Sequence, residues 1–132
     1  MTRHVVTFRF LGTPAERKQI AHRFRNALIS LPEQIECLKA IQVGINENPD
    51  EDWDLTLIAD AETPADIAAY SAHPAHLAAV EIIKGHKADR ACVDFTIYPT
   101  LRLFPYIPAL LSGTHSSDWQ NLLHSKNASI RC

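Results

Sequence analysis

The stretch YSAHPAH (residues 70–76) separates two helical patterns and determines where one helix ends and the next begins. Pro74 has no backbone N–H and its ring clashes with the preceding turn, so a helix that carries Tyr70 must end near His73. Proline is favoured in the first turn of a helix, and a second helix is therefore expected to start at Pro74. His76 then lies in the first turn of that second helix.

The segments on either side place this stretch in the second half of a β-α-β-β-α-β pattern. Four segments have the alternation or the composition of strands: 4–10, 38–45, 53–60 and 91–98. Thr13-Pro14 and Thr63-Pro64 each combine a capping hydroxyl with a proline suited to the first helical position, and the first of these two helices should end at Pro32. This order predicts an α+β fold of the ferredoxin-like type, with both helices on one face of an antiparallel sheet.

The other face of the predicted sheet would carry no helix. With regular alternation it presents apolar residues from all four strands, including Val5, Ile41, Val43, Ile45, Ile58, Val93 and Phe95. An exposed apolar surface of this kind is unfavourable in a monomer, and a second copy stacked sheet to sheet would cover it. The pattern therefore predicts a homodimer through the sheet faces.

Composition narrows the class of protein. The chain has 132 residues, of which 46% are hydrophobic, and this suits one domain with one core. A net charge of −2 provides no basic field for nucleic acid, and no run of about 20 apolar residues predicts a membrane span. Three cysteines without metal-type spacing suggest reduced thiols in the cytoplasm.

The pattern divides the chain into two parts. Residues 1–98 hold the ferredoxin-like domain. Residues 99–132 form a C-terminal extension that is interrupted by Pro99, Pro105 and Pro108 and followed by a Ser-rich link. We expect this extension to be partly packed and partly disordered.

Several of these motifs, taken in order, resemble a known family. They are the strand His4–Phe10, the turn Val43–Asn46, the strand Trp53–Leu57, the stretch 70–76 and the pair Asp94-Phe95. The set resembles the stress-responsive dimeric α/β-barrel domain family over residues 3–98. The resemblance implies a homodimer with a barrel-like core and a pocket between the sheet and the helices of each protomer.

The resemblance also implies a candidate site, because the family is related to olivetolic acid cyclase-like polyketide cyclases. In those cyclases a tyrosine and the second histidine of the His-Pro-x-His turn work together, and these positions are Tyr70 and His76 here. Two positions depart from the cyclase pattern: Leu55 replaces a histidine and Phe24 falls on a tyrosine. The expected pocket lining is His4, Val6, Phe8, Ile20, Phe24, Leu55, Leu57 and His73.

The residue types themselves suit chemistry without a cofactor. The electropositive N-terminus of a helix disfavours imidazolium, so a neutral His76 could act as a general base. A phenol such as that of Tyr70 could polarise a carbonyl while a proton leaves the adjacent carbon. The pair is therefore suited to an aldol-type cyclisation, a lactonisation or an enolisation of a small apolar carbonyl compound, as a cyclase or related lyase would perform.

Other interpretations stay open at this point. His73 and His76 could cap a helix, and Tyr70 could be a core residue, in a non-catalytic stress or small-molecule-binding protein. A monooxygenase-like activity rests on fold analogy alone. No metal is predicted, because spacing fixes no third ligand beside His73 and His76.

Overall fold

The sheet forms around the first strand, β1 (Thr2–Phe10), whose residues alternate between buried and half-buried. β1 pairs antiparallel with β3 (Leu55–Ala61) on one side and with β4 (Lys87–Thr96) on the other. β2 (Ala40–Ile45) pairs antiparallel with β3, and the strand order is β2-β3-β1-β4. This is the predicted α+β, ferredoxin-like arrangement.

These strands come from a computed structural model that describes residues 1–98. The predicted C-terminal extension, residues 99–132, and its expected division into packed and disordered parts lie outside the described residues. The boundary at residue 98 therefore stays a prediction.

Four helices lie between the strands: α1 (Pro14–Leu28), α2 (Leu31–Gln34), α3 (Pro64–Ala72) and α4 (Pro74–Glu81). The Thr13 hydroxyl accepts a hydrogen bond from the Glu16 N–H at 3.2 Å, as the capping pattern predicts. Thr63 caps α3 in the same way. The first helix ends at Leu28 rather than at Pro32, because Pro32 lies in the first turn of the separate helix α2.

The break between α3 and α4 lies at His73, as the sequence predicts. His73 has an extended backbone, and its Nδ1 accepts a hydrogen bond from the Ala75 N–H at 3.0 Å. Pro74 is the first residue of α4. The histidine therefore caps α4 and turns the chain so that both helices lie against the same side of the sheet.

The core lies between that side and the helices. Its largest fully buried side chains are Val6, Phe24, Leu28, Leu31, Ile35, Leu55 and Tyr70. No helix within residues 1–98 has the length and apolar character that a membrane span requires.

The open face of the sheet differs from the prediction at β2. Ile41, Val43 and Ile45 stand opposite buried residues of β3 and pack against the core, so they lie on the helix side. The predicted alternation counted Leu38 as a strand residue, whereas Leu38 is buried in the loop before β2. The large apolar residues that β1, β3 and β4 present on the open face include Val5, Ile58, Val93 and Phe95.

Candidate functional site

The helix-facing side of the sheet is most polar along β4. Every residue of β4 is exposed. The register places Lys87, Arg90, Cys92 and Asp94 of β4 opposite Phe10, Phe8, Val6 and His4 of β1, on the side that the helices cover elsewhere. A row of polar and charged side chains therefore borders the apolar core at this edge.

A cavity of about 190 Å³ lies beside this row. Its walls are mainly apolar and come from β1, α1, β3, α4 and the segment after α4, through Val6, Phe8, Phe24, Leu57, Val80 and Ile83. Its polar lining residues are His4, Ser71, His76, Lys87 and Arg90. An apolar pocket with a few convergent polar groups is the usual form of a small-molecule site.

Five of the eight predicted lining residues line this cavity: His4, Val6, Phe8, Phe24 and Leu57. Ile20 and Leu55 are instead part of the closed core. His73 borders a separate surface depression near Cys37 and Asp66, because its imidazole is held at the N-terminus of α4.

His76 is the predicted base, and its imidazole forms part of the cavity wall. Its Nδ1 lies 2.8 Å from the carbonyl oxygen of Ser71, which can only accept, so Nδ1 carries the proton of the neutral ring. Nε2 is then unprotonated and able to accept a proton. Burial is the main cause of the lowered pKa of His76; the charges of His4 and Arg90 lower it further, and the Ser71 bond opposes them.

Tyr70 lies directly beside His76, with the two ring centroids 4.6 Å apart. Its side chain is fully buried and is not among the residues that line the cavity. Its hydroxyl has no hydrogen-bond partner among the described residues, and burial raises the pKa of Tyr70 to about 12. A buried hydroxyl without a partner is costly, and a ligand oxygen or a water is the ordinary way to satisfy it.

His4 contributes the second imidazole of the cavity. Its Nδ1 lies 2.5 Å from Oδ1 of Asp94 on β4 and 3.5 Å from Sγ of Cys92. Cys92 is exposed, because no helix within residues 1–98 covers β4. Partial burial and the charge of Asp94 raise the pKa of the Cys92 thiol.

His4, Cys92 and Asp94 are also the one group of described residues whose donor atoms lie within 4.8 Å of one another, as metal ligands do. Two ligand atoms about 2.0 Å from a tetrahedral zinc are roughly 3.3 Å apart. The 2.5 Å between His4 and Asp94 is a hydrogen-bond distance, so a metal would have to separate them. The geometry fits a hydrogen-bonded group better than a metal centre.

Five lining residues were not predicted from the sequence: Ser71, Val80, Ile83, Lys87 and Arg90. Lys87 and Arg90 were missed because the fourth strand was expected to begin at Ala91, whereas it begins at Lys87. Alternation alone would not have revealed Lys87, because the register shift at Arg9/Phe10 places it on the side of Arg90, Cys92 and Asp94.

Comparisons with known proteins agree with this fold. Residues 2–97 match the model of the stress-responsive A/B barrel domain family. A solved dimeric protein of unknown function and ferredoxin-like fold from Bacteroides fragilis is 35% identical, with a TM-score of 0.69, and the match covers 73% of this chain and 95% of that one. A dimeric ferredoxin-like protein of unknown function from Thermobifida fusca is 32% identical, with a TM-score of 0.60, and the match covers 73% of this chain and 90% of that one.

More distant structures share the fold alone. A hydroxynitrile lyase from Passiflora edulis is 13% identical, with a TM-score of 0.61, and the match covers 75% of this chain and 94% of the lyase. None of the curated proteins compared with the chain matches it. The family match extends over well more than half of the 132 residues. The chain therefore belongs to the stress-responsive A/B barrel domain family.

Proposed function

We propose that this protein is a cofactor-free enzyme that enolises a small carbonyl compound in the cavity, with His76 as the general base. The observation that carries the proposal is the orientation of His76. The Ser71 carbonyl fixes the proton on Nδ1, the ring forms part of the cavity wall, and burial favours the neutral ring. An aldol-type cyclisation of a polyketide-like compound, as in the cyclases that the sequence resembles, is the specific reaction that we propose.

The proposed reaction needs only groups that the chain supplies. His76 Nε2 takes a proton from the carbon next to a carbonyl, and the electron pair moves to the carbonyl oxygen as an enolate. The enolate carbon forms a bond to a second carbonyl carbon of the same molecule. The resulting alkoxide takes the proton back from the imidazolium, and loss of water then completes the condensation.

Tyr70 is the proposed partner for the enolate oxygen. Its hydroxyl is the donor without a partner beside His76, and the raised pKa keeps it protonated. A donor that becomes satisfied only when negative charge develops stabilises the transition state more than the ground state. The hydroxyl is buried and Tyr70 is not part of the cavity lining, so the Tyr70 side chain would have to move for its hydroxyl to reach the substrate oxygen.

Proton exchange tests the base without knowledge of the natural substrate. Acetophenone is a small ketone whose methyl protons exchange slowly with solvent, and NMR in D₂O follows this exchange. We expect the wild-type protein to accelerate the exchange. In His76→Ala this acceleration should be at least about tenfold smaller. Tyr70→Phe should also slow the exchange, since the enolate would lose its hydrogen-bond donor.

The matched control is His22→Ala, which removes an exposed histidine on α1 outside the cavity lining. It should exchange acetophenone at the wild-type rate. Equal rates for wild type, His76→Ala and the protein-free solution would contradict the proposed enolisation. Circular dichroism of each variant would establish that the fold is intact.

A non-catalytic, small-molecule-binding stress protein is the second candidate. The buried position of the Tyr70 hydroxyl favours it, and so do Leu55 and Phe24, which stand where the cyclases carry polar groups. Binding of acetophenone without any acceleration of its exchange would support this second function. A monooxygenase-like activity is the third, and it rests on fold similarity at 14% identity to an antibiotic biosynthesis monooxygenase.

We also propose that the protein works as a homodimer through the open face of the sheet. Val93 is 63% exposed and Phe95 is 45% exposed. Val93 stands opposite the half-buried Val5, and Ile58 of β3 stands opposite Val5 on its other side. A second copy would cover this apolar strip. The two relatives from Bacteroides fragilis and Thermobifida fusca are described as dimeric, which supports the same assembly here.

Charge substitution on the open face tests the dimer. We expect the wild-type protein to have the mass of two chains in light scattering at micromolar concentration, and Val93→Asp to shift it toward one. Leu77→Asp is the control, because Leu77 is 52% exposed on α4, on the helix side of the sheet. A monomeric wild-type protein would contradict the proposed assembly.

A cytoplasmic location is the remaining part of the proposal. Cys37 and Cys92 are free thiols in the described part of the chain. Reduced thiols of this kind suit a reducing compartment. Fractionation of cells that produce the protein would test the location.

A further inference from the structure

We infer that the cavity takes a carbonyl compound that carries a carboxylate, with Lys87 and Arg90 binding the carboxylate while the carbonyl lies at His76. The inference rests on the proposed function and specifies its substrate class. Both cations line the same cavity as His76.

The position of the two cations on the sheet is the first support. Lys87 stands opposite Phe10 and Arg90 opposite Phe8, on the side of β4 that faces the cavity. The neighbouring positions on β1 and β3 are apolar and buried. Packing does not require two cations opposite these apolar residues, and their long side chains can reach a ligand at the open side of the cavity.

The second support is that Lys87 and Arg90 have no carboxylate partner within residues 1–98. Arg3, Arg9 and Arg17 each form ion pairs with aspartates. Within residues 1–98, Lys87 and Arg90 form no ion pair with a protein carboxylate. Both acidic residues of β4 are engaged elsewhere, since Asp89 pairs with Arg9 and Asp94 with His4.

The size and shape of the cavity limit the class of ligand that can bind. About 190 Å³ is smaller than the roughly 300–1,000 Å³ of sites for drug-sized ligands, so a single-ring compound is the appropriate scale. The rings of Phe8 and Phe24 stand edge to face at 5.5 Å and offer an apolar wall for a flat ligand. A guanidinium binds a carboxylate through two parallel hydrogen bonds, which would orient such a ligand with its other end toward His76.

The test compares 4-acetylbenzoate with the neutral 4-acetylbenzamide, which has nearly the same shape. Isothermal titration calorimetry or ligand NMR with the full chain measures the dissociation constant of each compound. We expect the carboxylate to bind at least about tenfold more tightly than the amide. Arg90→Gln should remove most of this preference and Lys87→Gln a smaller part, because a lysine binds as a point charge.

Arg23→Gln is the matched control, because Arg23 is an exposed arginine on α1 outside the cavity lining. It should keep the preference for the carboxylate. Binding of neither compound, equal binding of both, or a preference that survives in the Arg90→Gln and Lys87→Gln double variant would overturn the inference.

The two proposals can fail separately. Accelerated exchange of acetophenone without any preference for 4-acetylbenzoate would leave the base in place and remove the carboxylate site. Arg90-dependent binding of 4-acetylbenzoate without proton exchange, whether of this compound or of acetophenone, would leave the carboxylate site and remove the proposed chemistry.

Discussion

The two halves of the helix-facing side of the sheet are built differently. Over β3 the side chains of Leu55, Leu57 and Ala59 are 1%, 2% and 0% exposed. Over β4, on the same side of the same sheet, the row from Lys87 to Asp94 is exposed and carries charges. The helices cover the half over β3, here called the closed half, which supplies stability. They leave the half over β4, here called the open half, uncovered, and its polar groups can contact a ligand.

β1 lies between the two halves and takes part in both. Val6 and Phe8 belong to the buried core, and both also line the cavity. Hydrogen bonds to β3 and β4 fix the backbone of β1. A strand held rigidly in this way can pack into the closed half and also position side chains of the site in the open half. Substitutions on the two halves should therefore have separable effects on stability and on function.

The largest expected effect comes from the closed half. Leu55→Ala removes a fully buried side chain from a core that can relax only partly, and we expect a loss of about 2–5 kcal/mol in the free energy of unfolding. Denaturant titration measures this loss. The matched change on the open half is Cys92→Ala, which should change the free energy by less than about 0.5 kcal/mol. Similar losses in the two variants would remove the distinction between the halves.

The second effect is a gain in the free energy of unfolding, and it comes from Tyr70, which lies where the two halves meet. Tyr70→Phe deletes a buried hydroxyl that has no partner among residues 1–98, and we expect the protein to gain about 1 kcal/mol in the free energy of unfolding. Thermal unfolding checks the gain, and acetophenone exchange in the same variant should fall. A loss of stability would show that the hydroxyl is already satisfied, for instance by an ordered water.

The third effect concerns the hydrogen bond that joins β1 to the open half. Asp94→Asn keeps the shape of the side chain but replaces the charge-assisted bond to His4 by a neutral one, at a cost of about 1 kcal/mol. The exposure of Asp94 limits this cost. Binding of 4-acetylbenzoate should weaken in Asp94→Asn. The comparison variant is Asp89→Asn, on the outward side of the same strand, in which binding should weaken less. Equal changes in the two variants would contradict a role for the His4–Asp94 pair in the cavity.

The closed half could be predicted from the sequence more completely than the open half. Local signals fix its elements: alternation gives β1, and Thr-Pro pairs begin α1 and α3. His76 could be placed near a pocket because the stretch 70–76 combines a physical break with a family resemblance.

The exposure of the open half depends on which elements do not cover β4, and a single sequence does not show this. Cys92 has the character of a buried strand residue, yet it is exposed because no helix within residues 1–98 covers β4. Arg90 lies on the cavity side through its pairing with Phe8, a long-range register that a single sequence does not specify. Lys87 reaches the same side through the register shift at Arg9/Phe10. Likewise Leu38 suggested the wrong inward face for β2, because it is buried as a loop residue.

The smallest expected effect is a dependence of stability on pH that comes from His76. Its pKa is lowered in the folded protein, chiefly by burial, so the unfolded chain takes up this proton first as the pH falls through about 6.5. The stability that the neutral ring contributes is then complete above that pH and is lost below it.

Denaturant titrations between pH 5 and pH 8 would isolate this contribution. We expect the wild-type protein to lose more stability on acidification than His76→Gln, whose amide can keep the bond to the Ser71 carbonyl without titrating. His22→Gln removes an exposed histidine and should follow the wild-type curve. If the His76→Gln curve has the wild-type slope, the imidazole titrates alike in both states. It would then be in contact with water when folded, and the open half of the site would extend to the base itself.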